Sequence, residues 1–233
     1  MTDQPPLDAQ ALAALDFAAY VEALRACRRC PGVQPPPVVG AVEGARILLV
    51  GQAPGPRERD EGRPFAWTAG TTLFRWLASI GAEEDAFRRR VYLAAAIRCF
   101  PGRNAPRRGA SGGGKAQGDR APSRVELATC RPHLESELRR LRPALVLPVG
   151  RLAIAAFLPH RRLDEVVGRS FPFVHEALGG APCTAVPLPH PSGLSAWHKT
   201  EPGRTLLAQA LELVAHQPVW RETFPAAPRG TPG

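Results

Sequence analysis

Hydrophobic side chains in this chain follow two kinds of pattern, short continuous runs and longer stretches with helical spacing. The continuous apolar runs are typical of strands buried on both faces of a sheet, and they occupy residues 46–50, 91–97, 144–147 and 184–188. The helical spacing predicts helices over residues 7–26, 69–80, 123–140, 150–157 and 205–215. Strands that alternate with helices predict an α/β fold with parallel strand pairs and helices on both faces of the sheet.

The segments that follow three of these strands hold the candidate chemistry. In open α/β sheets, ligands bind at the carboxyl ends of the strands, so residues 51–65, 98–104 and 189–195 are expected to lie at one edge. His190 stands between two prolines, which hold it rigidly and suit an electrostatic donor better than a mobile proton carrier. Each segment also has an ordinary interpretation: a turn, a loop histidine or, for Glu58 within its charged run, a solvated face.

The charge balance is strongly basic. Thirty Lys and Arg residues against 21 Asp and Glu residues give a formal net charge of +9, and all the basic residues except Lys115 and Lys199 are arginines. Arginine matches phosphate oxygens better than lysine does, so this composition permits nucleic-acid binding without demonstrating it. An RNA-binding protein, a DNA enzyme and a merely basic protein all stay open at this point.

Nearly half of the positive surplus lies in one segment. Residues 101–122 are rich in Gly, Arg, Ser and Pro, and they hold five basic residues against one acidic residue, a surplus of four out of the nine. Such a composition is too poor in apolar groups to order itself cheaply. We therefore expect a flexible basic insertion that grips phosphate groups beside the predicted sheet edge.

The length and apolar content fit one globular domain. With 233 residues and 44% hydrophobic side chains, the chain can bury a substantial core. We expect a single domain over residues 1–224, a disordered tail over 225–233, and a monomer. No run approaches the roughly 18 apolar residues of a membrane span, and the first residues lack the pattern of a secretory signal. The expected location is therefore the cytoplasm, with no membrane partner.

Four of the five cysteines have the arrangement of a metal or cluster site. Cys27 and Cys30 form a Cys-x-x-Cys pair at a predicted helix end, Cys99 follows a strand and Cys130 lies in a helix. Four thiolates in this pattern suit a tetrahedral zinc ion or a [4Fe–4S] cluster, and the spacing does not choose between them. One alternative is buried thiols that act as small hydrophobic groups, which is our interpretation of Cys183. The other is a redox pair, which normally opens a helix rather than closing one.

Taken together and in chain order, these motifs resemble those of the iron–sulfur uracil-DNA glycosylases of families four and five. The resemblance covers roughly residues 15–215 and rests on Cys-x-x-Cys at 27–30, Gly-Gln-Ala-Pro-Gly at 51–55, Gly-Arg-Pro-Phe at 62–65 with Ala-Gly at 69–70, the segment 91–99, Cys-Arg-Pro at 130–132 and His-Pro-Ser at 190–192. It implies a three-layer α/β/α fold with a central, mostly parallel four-stranded sheet. It also implies a [4Fe–4S] cluster on the four cysteines, with zinc as the alternative.

The activity that the resemblance implies is the excision of uracil from DNA. An enzyme of this kind flips the nucleotide out of the stack and hydrolyses the N-glycosidic bond, which leaves an abasic site. His190 matches the family's motif histidine and would stabilise the negative charge on the departing uracil, and Phe65 would stack on the base. Glu58 matches the carboxylate position of family four and would orient the attacking water or stabilise the cationic sugar.

The resemblance assigns further contacts to DNA. Backbone groups around Gln52 and Ala53 would meet the uracil edge, and Ser192 would hold a phosphate. Leu194 would enter the gap left by the flipped base as an apolar wedge. Asn104 lies where family five has an asparagine near the site, so it is a second candidate for positioning the water.

One departure from the family pattern bears on base choice. Ala95 stands where family four has an asparagine that reads the uracil edge, as it does in family five. We therefore expect looser selectivity, with hypoxanthine or xanthine as further substrates. The alternative from a different functional class is a non-catalytic nucleic-acid-binding protein stabilised by zinc or a cluster. Such a protein has no need for Glu58 and His190 at the strand ends.

Overall fold

A five-stranded sheet forms the centre of the fold. The computed structural model describes residues 9–104, 118–158, 162–193 and 195–225. The strands are β1 (Ile47–Gly51), β2 (Tyr92–Ala95), β3 (Leu145–Pro148), β4 (Phe171–Phe173) and β5 (Cys183–Ala185), in the spatial order β2-β1-β3-β5-β4. The strands β2, β1, β3 and β5 pair in parallel, and β4 is antiparallel to β5 at one edge. The predicted α/β fold with a mostly parallel sheet is confirmed.

The inner strands form where the sequence has continuous apolar runs. Every residue of β1 and β3 is buried. Because successive side chains of a strand point to opposite faces, complete burial means that both faces of the sheet are covered, as in a three-layer arrangement. The predicted count of four strands is one too low. The missed strand, β4, has only three residues with a half-buried, exposed and buried pattern and a central proline, all of which suit an edge position.

The α-helices occupy most of the connections between strands. Their bounds are α1 Ala9–Ala14, α2 Phe17–Arg25, α3 Pro56–Glu61, α4 Thr68–Ala78, α5 Glu84–Arg90, α6 Arg124–Leu141, α7 Arg151–Phe157, α8 Leu163–Val166, α9 Gly203–His216 and α10 Pro218–Thr223, with short 3₁₀ helices at Glu176–Leu178 and Trp197–Lys199. The predicted helix over 7–26 is two helices, because the carboxylate of Asp16 accepts the Ala19 N–H at 2.7 Å and caps a new start. At the start of α6, Ser123 and Glu126 bond reciprocally and form a capping box.

The parallel pairing determines where functional groups gather. Gly51 at the end of β1 pairs with Ala95 at the end of β2, and Val149 after β3 bridges Leu188 in parallel. The segments that leave these strands therefore emerge at one edge of the sheet. None of the helices in the described part of the chain is long and apolar enough to cross a membrane.

Candidate active site

The loop after β1 remains joined to the segment after β2. The carbonyl of Gly51 accepts the Ala96 N–H at 2.9 Å, and the carbonyl of Gln52 accepts the Ile97 N–H at 3.3 Å. Gln52 and the following Ala53 are half-buried. The first residues of the two loops are therefore hydrogen-bonded to each other and form a platform at the sheet edge. The sequence-predicted residues 52 and 53 lie on this platform.

Phe65 lies on this platform in a strained conformation. Its φ is +53°, a left-handed value that side-chain-bearing residues rarely adopt. The ring approaches Gly51 so closely that a Cβ there would lie 2.9 Å from Phe65 Cζ. The Phe65 carbonyl packs on Gly70, where a Cβ would lie 1.8 Å from its oxygen. The two glycines thus leave the space that Phe65 needs at the end of β1.

Arg88 on α5 holds the same loop from behind. Its guanidinium donates to the carbonyls of Pro64 at 2.8 Å and Phe65 at 3.0 Å, and it also bonds Glu84 at 2.8 Å. The guanidinium carbon lies 4.4 Å from the ring centroid of Phe74 in the core. Because these contacts are made to backbone carbonyls, they offset the strain at Phe65 and keep its ring in one place.

Glu58 ties the first turn of α3 to the Phe65 loop. Pro56 begins this helix, and the Glu58 carboxylate reaches back to accept the Gly55 N–H. It also accepts a backbone hydrogen bond from Phe65. Burial raises the pKa of Glu58, Asp119 raises it further, and the two backbone bonds and Arg88 oppose the rise. The carboxylate therefore stands half-buried at the sheet edge, directly beside the Phe65 ring loop.

Asp119 is a second acidic group at this place, and the sequence analysis did not assign it a role at the site. A Cβ on Gly55 would lie 2.9 Å from Glu58 Oε2 and 3.4 Å from Asp119 Oδ2, so both carboxylates border the same glycine. Burial raises the pKa of Asp119, and Arg103 lowers it. No sequence signal other than an acid within a basic segment marks this residue, because the contact depends on how the segment folds back.

Asn104 closes the neck of the basic insertion. Arg103 and Asp119 form an antiparallel bridge, and the Asn104 side-chain amide donates to the carbonyls of Gly118 at 2.9 Å and Asp119 at 3.4 Å. These bonds use the N–H groups of the Asn104 amide. The positioning of the attacking water by Asn104 stays a prediction. The predicted insertion over 101–122 falls largely on residues 105–117, which lie outside the described residues.

His190 has its tautomer set by its own loop. The Ser192 backbone N–H donates to His190 Nδ1 at 3.2 Å, so the proton of the neutral ring resides on Nε2. The ring packs on Gly150, where a Cβ would lie 3.0 Å from His190 Cδ2. Burial lowers the pKa of His190, and His198 lowers it further. The arrangement is that of a neutral imidazole that can only donate through Nε2. The predicted wedge, Leu194, lies outside the described residues.

His198 supports the His190 loop, and the sequence analysis did not single it out. Its ring makes a hydrogen bond with the His190 backbone and lies edge-on to Trp76, with ring centroids 5.0 Å apart. It is buried. The spacing of eight residues between the histidines carries no recognised signal, because the turn between them is what brings them together.

The four cysteines predicted to act together lie close to one another. Burial raises the pKa of Cys30 to about 12, and the nearby thiols of Cys130 and Cys27 add to the rise. Burial likewise raises the pKa of Cys99 to about 12, and the other three thiols contribute. Within the described ranges, no group of three or more His, Cys, Asp or Glu residues is arranged to hold a single metal ion. Cys183 lies elsewhere, lining a cavity of about 520 Å³ at the opposite end of the sheet.

A buried polar network borders the thiol group. Arg98 forms an ion pair with Glu137, whose carboxylate also accepts the hydroxyls of Tyr20 at 3.1 Å and Tyr92 at 2.9 Å. The Arg98 backbone donates a hydrogen bond to Cys130. Nε and Nη1 of Arg98 are buried without a hydrogen-bond partner. An all-thiol donor set with unsatisfied cationic N–H groups beside it fits an anionic iron–sulfur cluster, whose sulfurs accept such hydrogen bonds.

Most of the chain matches a known protein family. A family model described as the uracil DNA glycosylase superfamily matches residues 37–214 of the chain. The match contains both candidate carboxylates, Phe65 and His190, and it begins after Cys27 and Cys30.

Individual relatives carry the names of two glycosylase types. The chain is 31% identical over 108 residues to the type-4 uracil-DNA glycosylase of Sulfurisphaera tokodaii, covering 46% of this chain and 40% of the relative. It is 32% identical over 143 residues to that of Archaeoglobus fulgidus, covering 57% and 59%. It is 31% identical over 195 residues to the type-5 uracil-DNA glycosylase of Thermus thermophilus, covering 70% and 80%. The chain thus spans less than two thirds of the length of the first two relatives.

Proposed function

Because this chain belongs to the uracil DNA glycosylase superfamily, we propose that it is a DNA-repair glycosylase that excises uracil and other deaminated bases and leaves an abasic site. One observation carries the proposal. A neutral histidine with its donor nitrogen fixed and an aromatic ring with a carboxylate beside it stand on loops that leave one edge of the sheet. A DNA-binding module requires none of these groups in that arrangement.

Phe65 and the platform beneath it receive the base. The glycosidic carbon is out of reach within a duplex, so the nucleotide must leave the stack before the bond can break. The ring of Phe65 is held over the end of β1 and offers a flat apolar face to the flipped base. Backbone groups of Gln52 and Ala53 meet the edge of the base, and Ser192 holds a phosphate.

His190 stabilises the charge that develops on the leaving base. As the glycosidic bond breaks, its electron pair moves onto the base, and the sugar becomes an oxocarbenium-like cation. The Nε2–H of His190 donates to the carbonyl oxygen that carries the negative charge. A neutral donor suits this role because it does not have to lose a proton, and the Ser192 bond keeps it from turning.

Glu58 acts on the positive charge that develops on the sugar. Its carboxylate is buried against the Phe65 loop, where it stabilises the cationic sugar and accepts the proton of the water that adds to it. The hydrogen bonds from Gly55 and Phe65 hold the carboxylate in place for both roles. Asn104, at the neck of the insertion, is the further candidate for positioning that water.

Base choice is expected to be broader than uracil alone. Ala95 ends β2 beside Gly51, and its methyl group offers no hydrogen bond to the edge of a base. Uracil, hypoxanthine and xanthine share carbonyl acceptors that His190 and the backbone can serve. DNA containing these bases is the proposed partner, and the chain is proposed to act as a monomer in the cytoplasm.

Cys27, Cys30, Cys99 and Cys130 are proposed to hold a [4Fe–4S] cluster. The same all-thiol donor set also suits a tetrahedral zinc ion, which is the alternative. These four residues would link the end of α2, the segment after β2 and α6 through the cluster. Such links would stabilise the position of Arg98 and of the loop that leads to Asn104.

The test is excision from defined oligonucleotides. The purified protein is incubated with end-labelled DNA that contains one uracil, hypoxanthine or xanthine, and alkali then cleaves the strand at any abasic site. Strand cleavage that depends on the deaminated base is expected, and His190→Leu, which has no hydrogen-bond donor, should abolish most of it. If the protein binds these oligonucleotides but leaves every base in place, the alternative of a non-catalytic nucleic-acid-binding protein is correct.

A further inference from the structure

Trp67 exposes a large aromatic face next to the candidate active site. Its exposed fraction is 52%, and the other large hydrophobic residues of the described chain that are this open are Val125 and Val174. An exposed indole offers a ligand a flat apolar face with a polar N–H at its edge. Trp67 lies two residues beyond Phe65, so its backbone belongs to the loop that carries the base-stacking ring.

Two neighbouring residues of α3 contact alternate residues of this loop. Glu58 accepts the Phe65 backbone N–H on the inner side. Arg57, one residue earlier, places its guanidinium carbon 4.8 Å from the ring centroid of Trp67 on the outer side. The same short helix therefore fixes Phe65 within the site and Trp67 at its rim. The cation–π contact holds the indole in one orientation while more than half of its surface stays open.

Arg57 differs from the other arginines of residues 57–63, which form ion pairs. Arg59 forms an ion pair with Asp60 at 2.7 Å, and Arg63 lies 3.8 Å from Glu61. Within the described residues, Arg57 forms no ion pair, and its guanidinium lies over the Trp67 ring. A guanidinium beside an open aromatic face matches the two parts of a nucleotide, a flat base and an anionic phosphate.

We propose that Trp67 and Arg57 form a stacking platform for the nucleotide next to the excised one. The base of that neighbour stacks on the open face of Trp67, and its phosphate pairs with Arg57. The inference rests on the proposed function, because the occupant is the same DNA strand whose flipped base lies against Phe65. It adds a contact outside the base pocket. This contact holds the DNA strand after the target base has left the base stack.

The chemistry of the surface favours this occupant. An apolar peptide would gain nothing from an unpaired guanidinium, whereas a nucleic-acid strand supplies both an aromatic face and a negative charge at a fixed spacing. Trp67 lies two residues from Phe65 in the same loop, which places it close to the nucleotide next to a base stacked on Phe65. Stacking of this kind tolerates any base, since every base has a π face.

The test is a coupling experiment between protein and DNA. The probe is a single-stranded oligonucleotide with a non-cleavable abasic analogue at its centre, in three forms: intact neighbours, the 5′ neighbouring base removed, and the 3′ neighbouring base removed. Affinities are measured for the wild type, Trp67→Ala and Trp67→Phe. Val174→Ala serves as the control, because it truncates an exposed apolar residue at the opposite end of the sheet.

Trp67→Ala is expected to weaken binding of the intact probe by about 5- to 150-fold, the range that loss of one base–aromatic stack produces. On the probe that lacks the stacked neighbour, the same substitution should have little further effect. Trp67→Phe should keep most of the affinity, and Val174→Ala all of it. Arg57→Gln should reduce the slope of log affinity against log salt by about 0.7, the contribution of one phosphate of a single strand.

An equal loss for Trp67→Ala on all three probes, or no loss on any, would overturn the platform. Excision of uracil is measured separately, so the two ideas fail independently. Excision without coupling leaves the proposed function standing and removes the platform. Coupling without excision removes the glycosylase and keeps the nucleotide-binding surface. A wild type that binds none of the probes overturns the platform, and the proposed function is then decided by the excision assay.

Discussion

The backbone N–H of Ser192 donates to Nδ1 of His190 at 3.2 Å, and this bond decides how the histidine can act. A nitrogen that accepts a hydrogen bond carries no proton, so Nε2 is the protonated atom of the neutral ring. Gly150 lets the ring lie flat against the backbone, and His198 bonds the backbone of His190 from behind. The side chain is thus prepared as a fixed neutral donor rather than as an acid or a base.

The first prediction concerns His190 itself. His190→Leu should reduce the single-turnover rate of uracil excision by about 10²- to 10³-fold, the usual cost of losing one donor to a developing anion. Affinity for DNA with a non-cleavable abasic analogue should change little, because that ligand has no leaving base. A substitution of His216, exposed on α9, provides the matched control. An equally large loss for His216→Leu would show that the His190 effect is not specific.

The second prediction is a loss of activity in acid. Burial lowers the pKa of His190 below its ordinary value of 6.5, so the ring stays neutral through the physiological range and gains a proton only at lower pH. Protonation breaks the Ser192 bond, and burial raises the pKa of Glu58, so that carboxylate also loses its charge as pH falls. The single-turnover rate should therefore be constant above pH 7 and decline below 6.5. Nitrogen NMR of His190 should report the Nε2–H tautomer above that decline.

The third prediction separates Glu58 from its charged neighbours. Glu58→Gln should reduce the excision rate by at least 10²-fold, because the amide cannot stabilise a cationic sugar or take up a proton. Glu61→Gln, on the same helix and exposed, should leave the rate within about twofold. The folded state is checked by thermal unfolding of both variants. Equal rates for the two variants would remove Glu58 from the chemistry.

The fourth prediction tests whether excision depends on the position of the Phe65 loop. A Cβ at position 70 would lie 1.8 Å from the Phe65 carbonyl oxygen, so Gly70→Ala forces the loop to move. We expect a loss of about 1–3 kcal/mol in the free energy of unfolding and a larger loss of excision than stability alone explains. Thr71→Ala, at the next and exposed position of α4, should change neither. Unchanged excision in a stable Gly70→Ala variant would show that the position of Phe65 is unimportant.

The fifth prediction concerns the thiols. Cys130→Ser should lower the iron and sulfide content of the purified protein and its brown visible absorption, and it should lower the thermal unfolding temperature. Cys183→Ser should leave the iron content unchanged, because that thiol lines a cavity at the other end of the sheet. Iron that is retained in Cys130→Ser but lost in Cys183→Ser would refute the assignment. A colourless wild type with one zinc per chain would do the same.

Much of the fold could be read from the chain because burial leaves a local trace. Residues 47–50 are all apolar, as is typical of a strand covered on both faces, and they lie in β1. The amphipathic stretch at 69–80 forms α4 for the same reason. Where burial leaves no trace the prediction was incomplete: β4 is a three-residue edge strand, and the break at Asp16 depends on one side-chain cap.

The sequence by itself determined the α/β order, the residue types at the strand ends and the set of four cysteines. Only the tertiary structure decided which atoms meet there. Four features leave no periodic signal in the sequence: the tautomer of His190, the hydrogen bond between Glu58 and Phe65, the closeness of Asp119 to Glu58, and the exposure of Trp67. The physical reason is that a local pattern reflects only how much surface a segment buries. These contacts join segments that are far apart in the sequence and that come together only when the parallel strands pair.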